Sequence, residues 1–538
     1  MSTDRVLNQP PPLQDYDPLA LDHALAQALR REGAAWATAE IGAFARATAA
    51  KEMLTLGFQA NENPPRLRTH DRFGNRIDEV DFHPAWHELM RFSVANGVHA
   101  GPWRDPREGA HVARAAKMLL VSQTEAGHGC PISMTYSALP PLQRQPDLLE
   151  EWAPRIVSLA YDGRMLPAAE KSSALIGMGM TEKQGGSDVR ANPTRAEPLG
   201  SGGYALTGHK WFCSAPTSDA FLVLAQAPRG LSCFLLPRWT PEGERNRFHL
   251  QRLKDKLGNR SNASAEVELE HAWARLVGDE GRGVSTIVEM VNHTRLDCVI
   301  GAAAGMRQAL VQAVHHCSHR SAFGRLLIEQ PLMRAVLADL AIESEAATIL
   351  MMRLARAYDR REQETGFRRL GTAIAKYWVC KRAAPMVAEA LECLGGNGYV
   401  EESILPRLYR EAPLNSIWEG SGNVICLDVL RALQKEPQAR DAVVTELRLA
   451  RGADRRLDAA LDDVEARLAS PDEAGARKLV ESLALALQGS LLARHSPAPV
   501  SDAFCAARLR GDHGYAFGAL PAGIDAGAVL ERAWPTDK

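Results

Sequence analysis

The chain has 538 residues, too many for a single hydrophobic core, and this length predicts about three or four domains. Hydrophobic residues make up 46% and charged residues 24%, which excludes a disordered protein and is typical of a soluble globular one. The net charge of −2 gives no overall field that would favour nucleic acid or an acidic membrane surface, so any basic patch must be local.

The distribution of apolar residues and cysteines predicts the cellular setting. No stretch approaches the roughly 20 apolar residues that span a bilayer, and the first residues lack the apolar run of a secretory signal. The nine cysteines are scattered without a Cys-x-x-Cys pair, so neither a disulfide framework nor a zinc ribbon is indicated. We therefore expect a cytoplasmic protein with buried, reduced thiols and no membrane association.

Residues 1–175 are predicted to be helical, because they are rich in helix-forming residues. Helices are expected at 19–55, 86–98, 110–124 and from 148 to 157. At 176–282, short apolar segments separated by Gly, Pro and Asn predict a β sheet or barrel. Its strands are expected at 204–207, 210–213, 220–225, 232–236 and 265–270, with a Gly-His turn between the first two.

Residues 283–434 return to a helical period and predict a four-helix bundle. Residues 435–538 predict a further helical extension, dense in Ala, Leu and Arg. The fold class is therefore multidomain and mainly α, with a central β domain. No strand–Gly-x-Gly-x-x-Gly–helix unit is present, so a Rossmann nucleotide site is not indicated.

Three histidines, His315, His316 and His319, lie within one predicted helical turn. An i,i+4 pair of histidines is compatible with zinc, but no carboxylate at ligand spacing accompanies this one. Histidines on a helix without a metal are the commoner case, so we predict no metal site.

Residues 414–423 read Leu-Asn-Ser-Ile-Trp-Glu-Gly-Ser-Gly-Asn and place one carboxylate, Glu419, between an apolar pair and a Gly-Ser-Gly turn. Apolar neighbours desolvate a carboxylate and raise its pKa, and glycines let main-chain N–H groups approach a ligand closely. Such a carboxylate suits a proton-abstracting base. The plain alternative is a Glu that caps a helix end.

Five motifs in the same order resemble those of the acyl-CoA dehydrogenase flavoprotein family, whose domains also run helical region, β domain and four-helix bundle. They lie at 180–188, 208–214, 320–324, 395–399 and 409–421. The resemblance implies FAD as the cofactor. It implies contacts to FAD from Met180, Thr181, Gly186, Ser187, Trp211, Phe212, Ser214, Arg320, Phe323, Gln330, Glu392, Gly395, Gly396, Ser421 and Asn423.

Within that set, spacing favours Phe212 as the flavin-facing aromatic, with Trp211 as the alternative. Arg320 and Phe323 belong to the Arg-x-x-Phe-Gly motif that a neighbouring subunit offers to the FAD diphosphate in this family. Four positions depart from the family pattern. Gln330 stands one place early, Glu392 replaces a Gln, and Ser421 and Asn423 replace a Thr and a Gln or Glu.

The resemblance also implies a mechanism. Glu419 would abstract the α-proton of an acyl-CoA thioester while flavin N5 takes the β-hydride, with a ribityl hydroxyl and the main-chain N–H of Glu419 as donors to the enolate oxygen. Some members carry the base just before an Arg-Leu pair, a position that is Thr294 here. Glu419 is therefore the candidate base, and Arg295 is expected to orient it.

The length of the chain and the sequences of its motifs are most similar to those of the AidB subgroup. These bacterial adaptive-response flavoproteins are homotetrameric, DNA-associated and weakly active on isovaleryl-CoA.

Three interpretations of the function stay open. One is a catabolic dehydrogenase of short or branched acyl-CoA that passes electrons to an electron-transfer flavoprotein. Another is a protein associated with double-stranded DNA whose dehydrogenase activity is residual. A flavin-free helical scaffold is a third.

Binding of DNA would require a cluster of arginines on one surface. Residues 435–538 contain 14 Lys plus Arg against 16 Asp plus Glu, so this region is not basic as a whole. A solvated helical face is an equally good explanation of its charges. The candidate DNA-binding residues are Arg431, Arg448, Arg451, Arg455, Arg508 and Arg510.

Overall fold

The computed structural model describes residues 6–200, 202–509 and 514–535, and it is mainly helical with one β barrel. In the first part of the chain the helices are α1 (His23–Arg31), α2 (Thr38–Thr48), α3 (Lys51–Glu62), α4 (Pro84–Ala95), α5 (Gly101–Arg104), α6 (Ala110–Thr124), α7 (Gly129–Ser137), α8 (Leu139–Leu142) and α9 (Pro146–Ile156). The later helices are α10 (Gly283–His319), α11 (Pro331–Asp359), α12 (Thr365–Cys393), α13 (Gly396–Tyr399), α14 (Ile404–Glu411), α15 (Gly422–Lys435), α16 (Pro437–Arg448), α17 (Arg455–Ala469), α18 (Ala476–His495), α19 (Ala498–Phe504) and α20 (Ala526–Ala533).

The strands of the structure form two small hairpins and one larger sheet. They are β1 (Arg66–His70), β2 (Arg76–Asp81), β3 (Ile176–Gly179), β4 (Arg195–Pro198), β5 (Tyr204–Ser214), β6 (Ala220–Ala227), β7 (Gly230–Pro237), β8 (Phe248–Leu253), β9 (Ser264–Val277), β10 (Ser321–Ala322) and β11 (Arg325–Leu326). The larger sheet comprises β3 to β9 and corresponds to the predicted β domain.

The chain packs as two units. The first comprises residues 1–51, 107–123 and 295–538, and the second comprises 52–106 and 124–294. This division follows packing along the chain, and the four predicted domains at 1–175, 176–282, 283–434 and 435–538 stay a prediction.

The larger sheet of the second unit closes into a barrel. Strand β7 pairs with both β9 and β6, so β6, β4, β5, β9 and β7 form a ring, to which β3 and β8 add one strand each. Buried apolar side chains fill the interior, among them Phe221 and Phe248, whose rings stack with centroids 4.9 Å apart. The central β domain is therefore a closed barrel, which leaves few exposed strand edges.

Strand β5 corrects one expectation. The predicted Gly-His turn at Gly208 does not exist, since a single strand runs through it and only its register against β9 is shifted there. A Cβ on Gly208 would lie 2.4 Å from Thr194 Oγ1, so the glycine allows close approach of a neighbouring strand. The residue that looked like a turn is a bulge.

The hairpin of β1 and β2 lies between the helices predicted at 19–55 and 86–98, in a stretch of the helical region 1–175 for which no element was predicted. Polar and charged residues dominate both strands, so their sequence carries little apolar alternation. The hairpin attaches to the barrel through Asp78 and Arg76. Leu250 N–H donates to Asp78 Oδ1 at 3.1 Å, and Arg76 Nη2 donates to the main-chain oxygen of Leu250 at 2.9 Å.

Helices α10, α11, α12 and α15 form the predicted four-helix bundle, and all of them except the first twelve residues of α10 belong to the first unit. Helix α12 packs against α11 and α15, and the Cys380 thiol in α12 donates to the main-chain oxygen of Cys298 in α10 at 3.4 Å. The helices after residue 435 pack on this bundle rather than forming a separate body.

Buried ion pairs fasten this C-terminal extension to the bundle. Arg508 pairs with Asp339 and, at 3.0 Å, with Glu343, and Arg532 pairs with Glu345 at 3.1 Å. Buried charges are tolerated when they are paired in this way.

All nine cysteines are buried free thiols, as the sequence predicts. None of the helices in residues 6–200, 202–509 and 514–535 combines the length and the hydropathy that a bilayer crossing requires.

Candidate active site

Glu419 lies in a tight turn between α14 and α15 and has a left-handed backbone, with φ of 58°. This conformation costs a non-glycine residue about 1–2 kcal/mol. The next residue, Gly420, has φ of 112°, and a Cβ there would lie 3.0 Å from Ile425 Cδ1. The turn at 419–420 therefore requires glycine at one position and imposes strain at the other.

Two cations bind the main chain of this turn. Arg295 Nε donates to the main-chain oxygen of Glu419 at 3.0 Å, and Lys376 Nζ donates to the main-chain oxygen of Gly420. Lys376 is 1% exposed, so its ammonium is desolvated and the contact is strong. The sequence analysis expects Arg295 to orient Glu419, and the structure places its contact at the main-chain oxygen of that residue.

A carboxylate two turns into α15 fixes the arginine in place. Asp428 Oδ2 accepts from Arg295 Nη1 at 2.7 Å, and Asp428 Oδ1 accepts from Arg369 Nη2 at 2.7 Å. Burial alone would raise the pKa of Asp428, but the two guanidinium groups hold that pKa below its usual value. Asp428 is therefore a carboxylate that orients Arg295 across the site.

Sequence reasoning missed Lys376, Asp428 and Arg369. Lys376 lies 44 residues before Gly420 on another helix, and no local motif marks it. A charged residue in a stretch that is otherwise apolar is the one available signal, because charged side chains are rarely fully buried without a partner.

Apolar and neutral groups complete the surroundings of the turn. Burial raises the pKa of the Cys298 thiol well above its usual range, and the nearby Glu419 charge adds to this, so the thiol is neutral. Trp418, which precedes Glu419, donates from Nε1 to Asn415 Oδ1 at 2.9 Å. This bond fixes the indole beside Glu419 in the chain.

Ser421 and Asn423 follow Glu419 at the start of α15. Ser421 is the N-cap residue, yet its hydroxyl makes no capping hydrogen bond in the part of the chain that the structure describes. Asn423 Oδ1 accepts from Arg477 Nε at 2.8 Å. The structure brings both residues next to the Glu419 turn.

The predicted flavin loop, residues 180–188, lies against strand β5 in the second unit. The main-chain N–H of Trp211 donates to Thr181 O at 2.8 Å, which brings two of the five motifs together. Asn192 Nδ2 donates to Met180 O at 2.8 Å. A Cβ on Gly186 would lie 2.5 Å from Thr181 Oγ1, so this glycine lets the loop fold closely on itself, and Ser187 next to it is exposed.

The two adjacent aromatic side chains of β5, Trp211 and Phe212, both contact the ammonium group of a lysine. Lys254 Nζ lies 3.4 Å from the ring centroid of Trp211 and 4.7 Å from that of Phe212, within cation–π range of both. Phe212 is 48% exposed. Ser214 Oγ lies 3.1 Å from Ser264 Oγ on the paired strand β9, so the two hydroxyls are hydrogen-bonded.

Arg320 precedes a two-stranded hairpin, β10 and β11, in the first unit. The tip of the hairpin is Phe323 and Gly324, with φ of 53° and 79°, and the Phe323 side chain is 100% exposed. Gln330 Nε2 donates to the main-chain oxygen of Ala322 at 3.1 Å. The displaced glutamine therefore braces the hairpin that carries Phe323.

The glycine stretch begins just after α12. Gly395 has φ of 59°, and a Cβ at Gly395 or Gly396 would meet nothing within 4 Å, so both positions border open space. Gly398 differs, since a Cβ there would lie 2.2 Å from the main-chain oxygen of Leu391. Glu392 is exposed on the last turn of α12.

The predicted DNA-binding arginines separate into three groups. Arg448 pairs with Glu465 at 2.9 Å and Arg451 with Asp462 at 2.8 Å, both on the surface. Arg508 is a correction, because its side chain is 7% exposed and its guanidinium already binds two buried carboxylates. Arg431 and Arg455 are exposed and make no ion pair among the described residues, and Arg510 lies outside those residues.

The candidate residues are thus distributed over both units. Met180, Thr181, Gly186, Ser187, Trp211, Phe212 and Ser214 belong to the second unit, and the others belong to the first. Within the described ranges, no cluster of His, Cys, Asp and Glu suits a metal ion. His315, His316 and His319 of α10 therefore do not belong to such a cluster.

Three family models match the chain in succession. The adaptive response protein AidB N-terminal domain matches residues 8–163, the acyl-CoA dehydrogenase middle domain matches 177–272, and the acyl-CoA dehydrogenase C-terminal domain matches 281–434. Helical region, barrel and bundle in this order define the architecture of acyl-CoA dehydrogenases.

Individual relatives agree with these matches. The AidB protein of Escherichia coli (strain K12) is 49% identical over 511 residues, which is 94% of each chain. Acyl-CoA dehydrogenase family member 11 of Caenorhabditis elegans is 33% identical over 71% of this chain and 64% of its own. A crystal structure of ACDH-11 from the same worm, in complex with C11-CoA, superposes with a TM-score of 0.84 at 29% identity, covering 94% of this chain and 93% of that one.

The chain belongs to the acyl-CoA dehydrogenase family, within its AidB-type branch. Members of this family are FAD-dependent flavoproteins.

Proposed function

We propose that this protein is an FAD-dependent acyl-CoA dehydrogenase in which Glu419 abstracts the α-proton of a short or branched acyl-CoA, such as isovaleryl-CoA. The observation that carries this proposal is the strained turn at Glu419, whose two carbonyl oxygens bind Arg295 and Lys376. Strained backbone that persists because several groups fix it is concentrated at functional sites.

The residues of the turn divide the work. Arg295 and Lys376 fix the main chain, so the Glu419 side chain projects from a rigid base. We expect the neutral Cys298 thiol and the apolar body of the Trp418 indole to limit the access of water to this carboxylate, and desolvation of a carboxylate favours proton uptake. The main-chain N–H of Glu419 donates to the thioester oxygen as negative charge develops there.

The chain has residues that fit FAD. Arg320 has no carboxylate partner among the described residues, so its charge is available to a diphosphate. Gly395 and Gly396 border open space where a main chain can approach a nucleotide, and the barrel offers Thr181, Ser187 and the aromatic pair of β5. FAD supplies the hydride acceptor for the β carbon of the substrate.

An anaerobic titration of the purified protein with a panel of acyl-CoAs tests this proposal. We expect the visible absorbance of the flavin to bleach with short and branched thioesters, isovaleryl-CoA among them, and to recover in air or with an electron-transfer flavoprotein. A colourless protein that takes up no FAD, or a yellow one that no acyl-CoA bleaches, would refute it.

A second role, association with double-stranded DNA in the response to alkylation, receives support from the AidB-type N-terminal domain and from Arg431 and Arg455, which make no ion pair with any described residue. DNA binding whose affinity falls steeply with salt would support this role. Fast turnover with an electron-transfer flavoprotein and no DNA binding would favour an ordinary catabolic enzyme.

We further propose a homotetramer, because the Arg320 motif serves the FAD of a neighbouring subunit in this family, and a cytoplasmic location. Light scattering of the purified protein tests the assembly, and a monomer at micromolar concentration would contradict it.

A further inference from the structure

The N-terminal strap, residues 8–11, lies across the hairpin that carries Arg320. The Asn8 side chain pairs with the edge of this hairpin in both directions. Ser321 N–H donates to Asn8 Oδ1 at 2.7 Å, and Asn8 Nδ2 donates to Ser321 O at 2.8 Å. Asn8 has φ of 56°, a conformation that asparagine tolerates better than most residues. The amide thereby acts as one more residue of the small sheet.

Gln9 links two motifs that are far apart in sequence. Its Oε1 accepts from Asn397 Nδ2 at 3.0 Å and from Arg320 Nη1 at 3.5 Å. Arg320 Nη1 also donates to the main-chain oxygen of Asn8 at 2.8 Å. One glutamine side chain therefore joins the arginine motif to the glycine stretch.

The far end of the strap has its own anchor. His315 Nε2 lies 2.8 Å from the main-chain oxygen of Pro11, and only a protonated Nε2 makes this a hydrogen bond. The strap thus has contacts to α10, to the hairpin and to the glycine stretch, all within the first unit.

The contacts of Arg320 are one-sided. Arg320 donates both of its hydrogen bonds to the strap from Nη1. Within the part of the chain that the structure describes, Nε and Nη2 donate no hydrogen bond. The Nε and Nη2 donors form a fork that matches two oxygens of a phosphate. Both strap acceptors are neutral oxygens, so no carboxylate among the described residues pairs with the positive charge of this guanidinium.

We propose that Asn8 and Gln9 are positioning residues of the cofactor site: the strap fixes Arg320 and Asn397 so that the unused edge of the guanidinium faces the diphosphate of the flavin nucleotide. This inference rests on the proposed FAD-dependent function. It assigns to the extreme N-terminal segment a part in cofactor affinity, through Arg320.

The test is a double-mutant cycle on FAD affinity in the full-length protein. Asn8→Gly keeps the positive φ and removes the amide pair, and Gln9→Met keeps the side-chain volume and removes the acceptor. We expect the double variant Asn8→Gly/Gln9→Met to raise the dissociation constant of FAD by about tenfold, as the loss of a few hydrogen bonds predicts. The melting temperature of the FAD-free protein should stay that of the wild type.

Arg320→Met completes the cycle and should weaken FAD binding at least as much. In the Arg320→Met background, the two strap substitutions should have no further effect, because they act through the arginine. Gln438→Met, at an exposed glutamine on α16, is the matched control and should leave FAD affinity unchanged.

The outcomes separate the inference from the proposed function. A wild-type protein that binds no FAD would overturn both. FAD binding that weakens in Arg320→Met but not in the strap variants would overturn the inference alone, as would a strap effect of equal size with and without Arg320. A strap effect that is present only with Arg320 would establish the positioning role.

Discussion

Two regions of this molecule use arginine in opposite ways. After residue 435, Arg448, Arg451 and Arg508 each bind a carboxylate, whereas the guanidinium of Arg320 donates, within the part of the chain that the structure describes, only to neutral oxygens of the strap. In the sequence all four were candidates for binding a phosphate. The tertiary partner, rather than local charge composition, therefore decides whether an arginine is available to a ligand.

The largest expected effect concerns the buried ion pairs of Arg508 with Asp339 and Glu343. Replacement Arg508→Met leaves Asp339 and Glu343 with fewer partners in a buried place, so the free energy of unfolding should fall by about 3 kcal/mol or more. Arg448→Met removes a surface pair and should cost less than about 1 kcal/mol. Urea unfolding followed by circular dichroism measures both.

Equal losses for Arg508→Met and Arg448→Met would break the distinction between the buried and the surface pair. If Arg508→Met weakens DNA binding while the free energy of unfolding stays that of the wild type, Arg508 returns to the DNA-binding candidates.

The positive charge of Arg320 contributes to a lowered pKa of His316. Burial, then the positive charges of Arg320 and His315, lower the pKa of His316 from 6.5 to about 4. The neutral ring is favoured in the folded protein, so this residue makes stability fall as the pH drops from about 6.5 to about 4, at up to about 1.4 kcal/mol per pH unit. In Arg320→Met the pKa of His316 should rise.

An NMR titration of the His316 ring checks this rise, and urea unfolding at several pH values checks the stability slope. Arg448→Met is the control, since the charge of Arg448 is paired with Glu465 and is not among the charges that act on His316. If the pKa of His316 is the same with and without Arg320, another group must compensate the charge of the arginine.

The smallest expected effect concerns DNA. If the protein binds duplex DNA through Arg431 and Arg455, which pair with no carboxylate in the described ranges, Arg431→Ala/Arg455→Ala should make the negative slope of log affinity against log salt shallower by about 2, one unit for each lost phosphate contact. Arg448→Ala/Arg451→Ala is the matched pair, and its slope should change less because those guanidinium groups bind carboxylates. A larger change in slope for Arg448→Ala/Arg451→Ala than for Arg431→Ala/Arg455→Ala would contradict this expectation.

Much of the fold was predictable where local pattern and tertiary structure agree. Helix α6 begins and ends where the sequence predicts, because its apolar residues are periodic and glycines flank it. Gly208 misled the prediction, since a glycine needed for close strand approach has the same sequence signature as one needed for a turn. The hairpin of β1 and β2 was missed because its strands are polar.

The candidate site was predictable to a similar degree. The segment 414–423 and Arg295 were found from sequence, and the structure brings them into contact. Lys376 and Asp428 were not, because their role depends on helices that meet only in the folded chain. The strap contacts of Arg320 join residues more than 300 positions apart, and no local pattern reports such a distance.

The most direct test of the account is the Glu419→Gln variant, with Glu402→Gln at an exposed position as its control. Both variants should purify yellow with bound FAD. Under anaerobic conditions, the acyl-CoA that bleaches the wild type should bleach Glu402→Gln at the same rate, and Glu419→Gln about a thousandfold more slowly, since it lacks the base. Bleaching of Glu419→Gln at the wild-type rate would contradict the assignment of Glu419 as the proton-abstracting base.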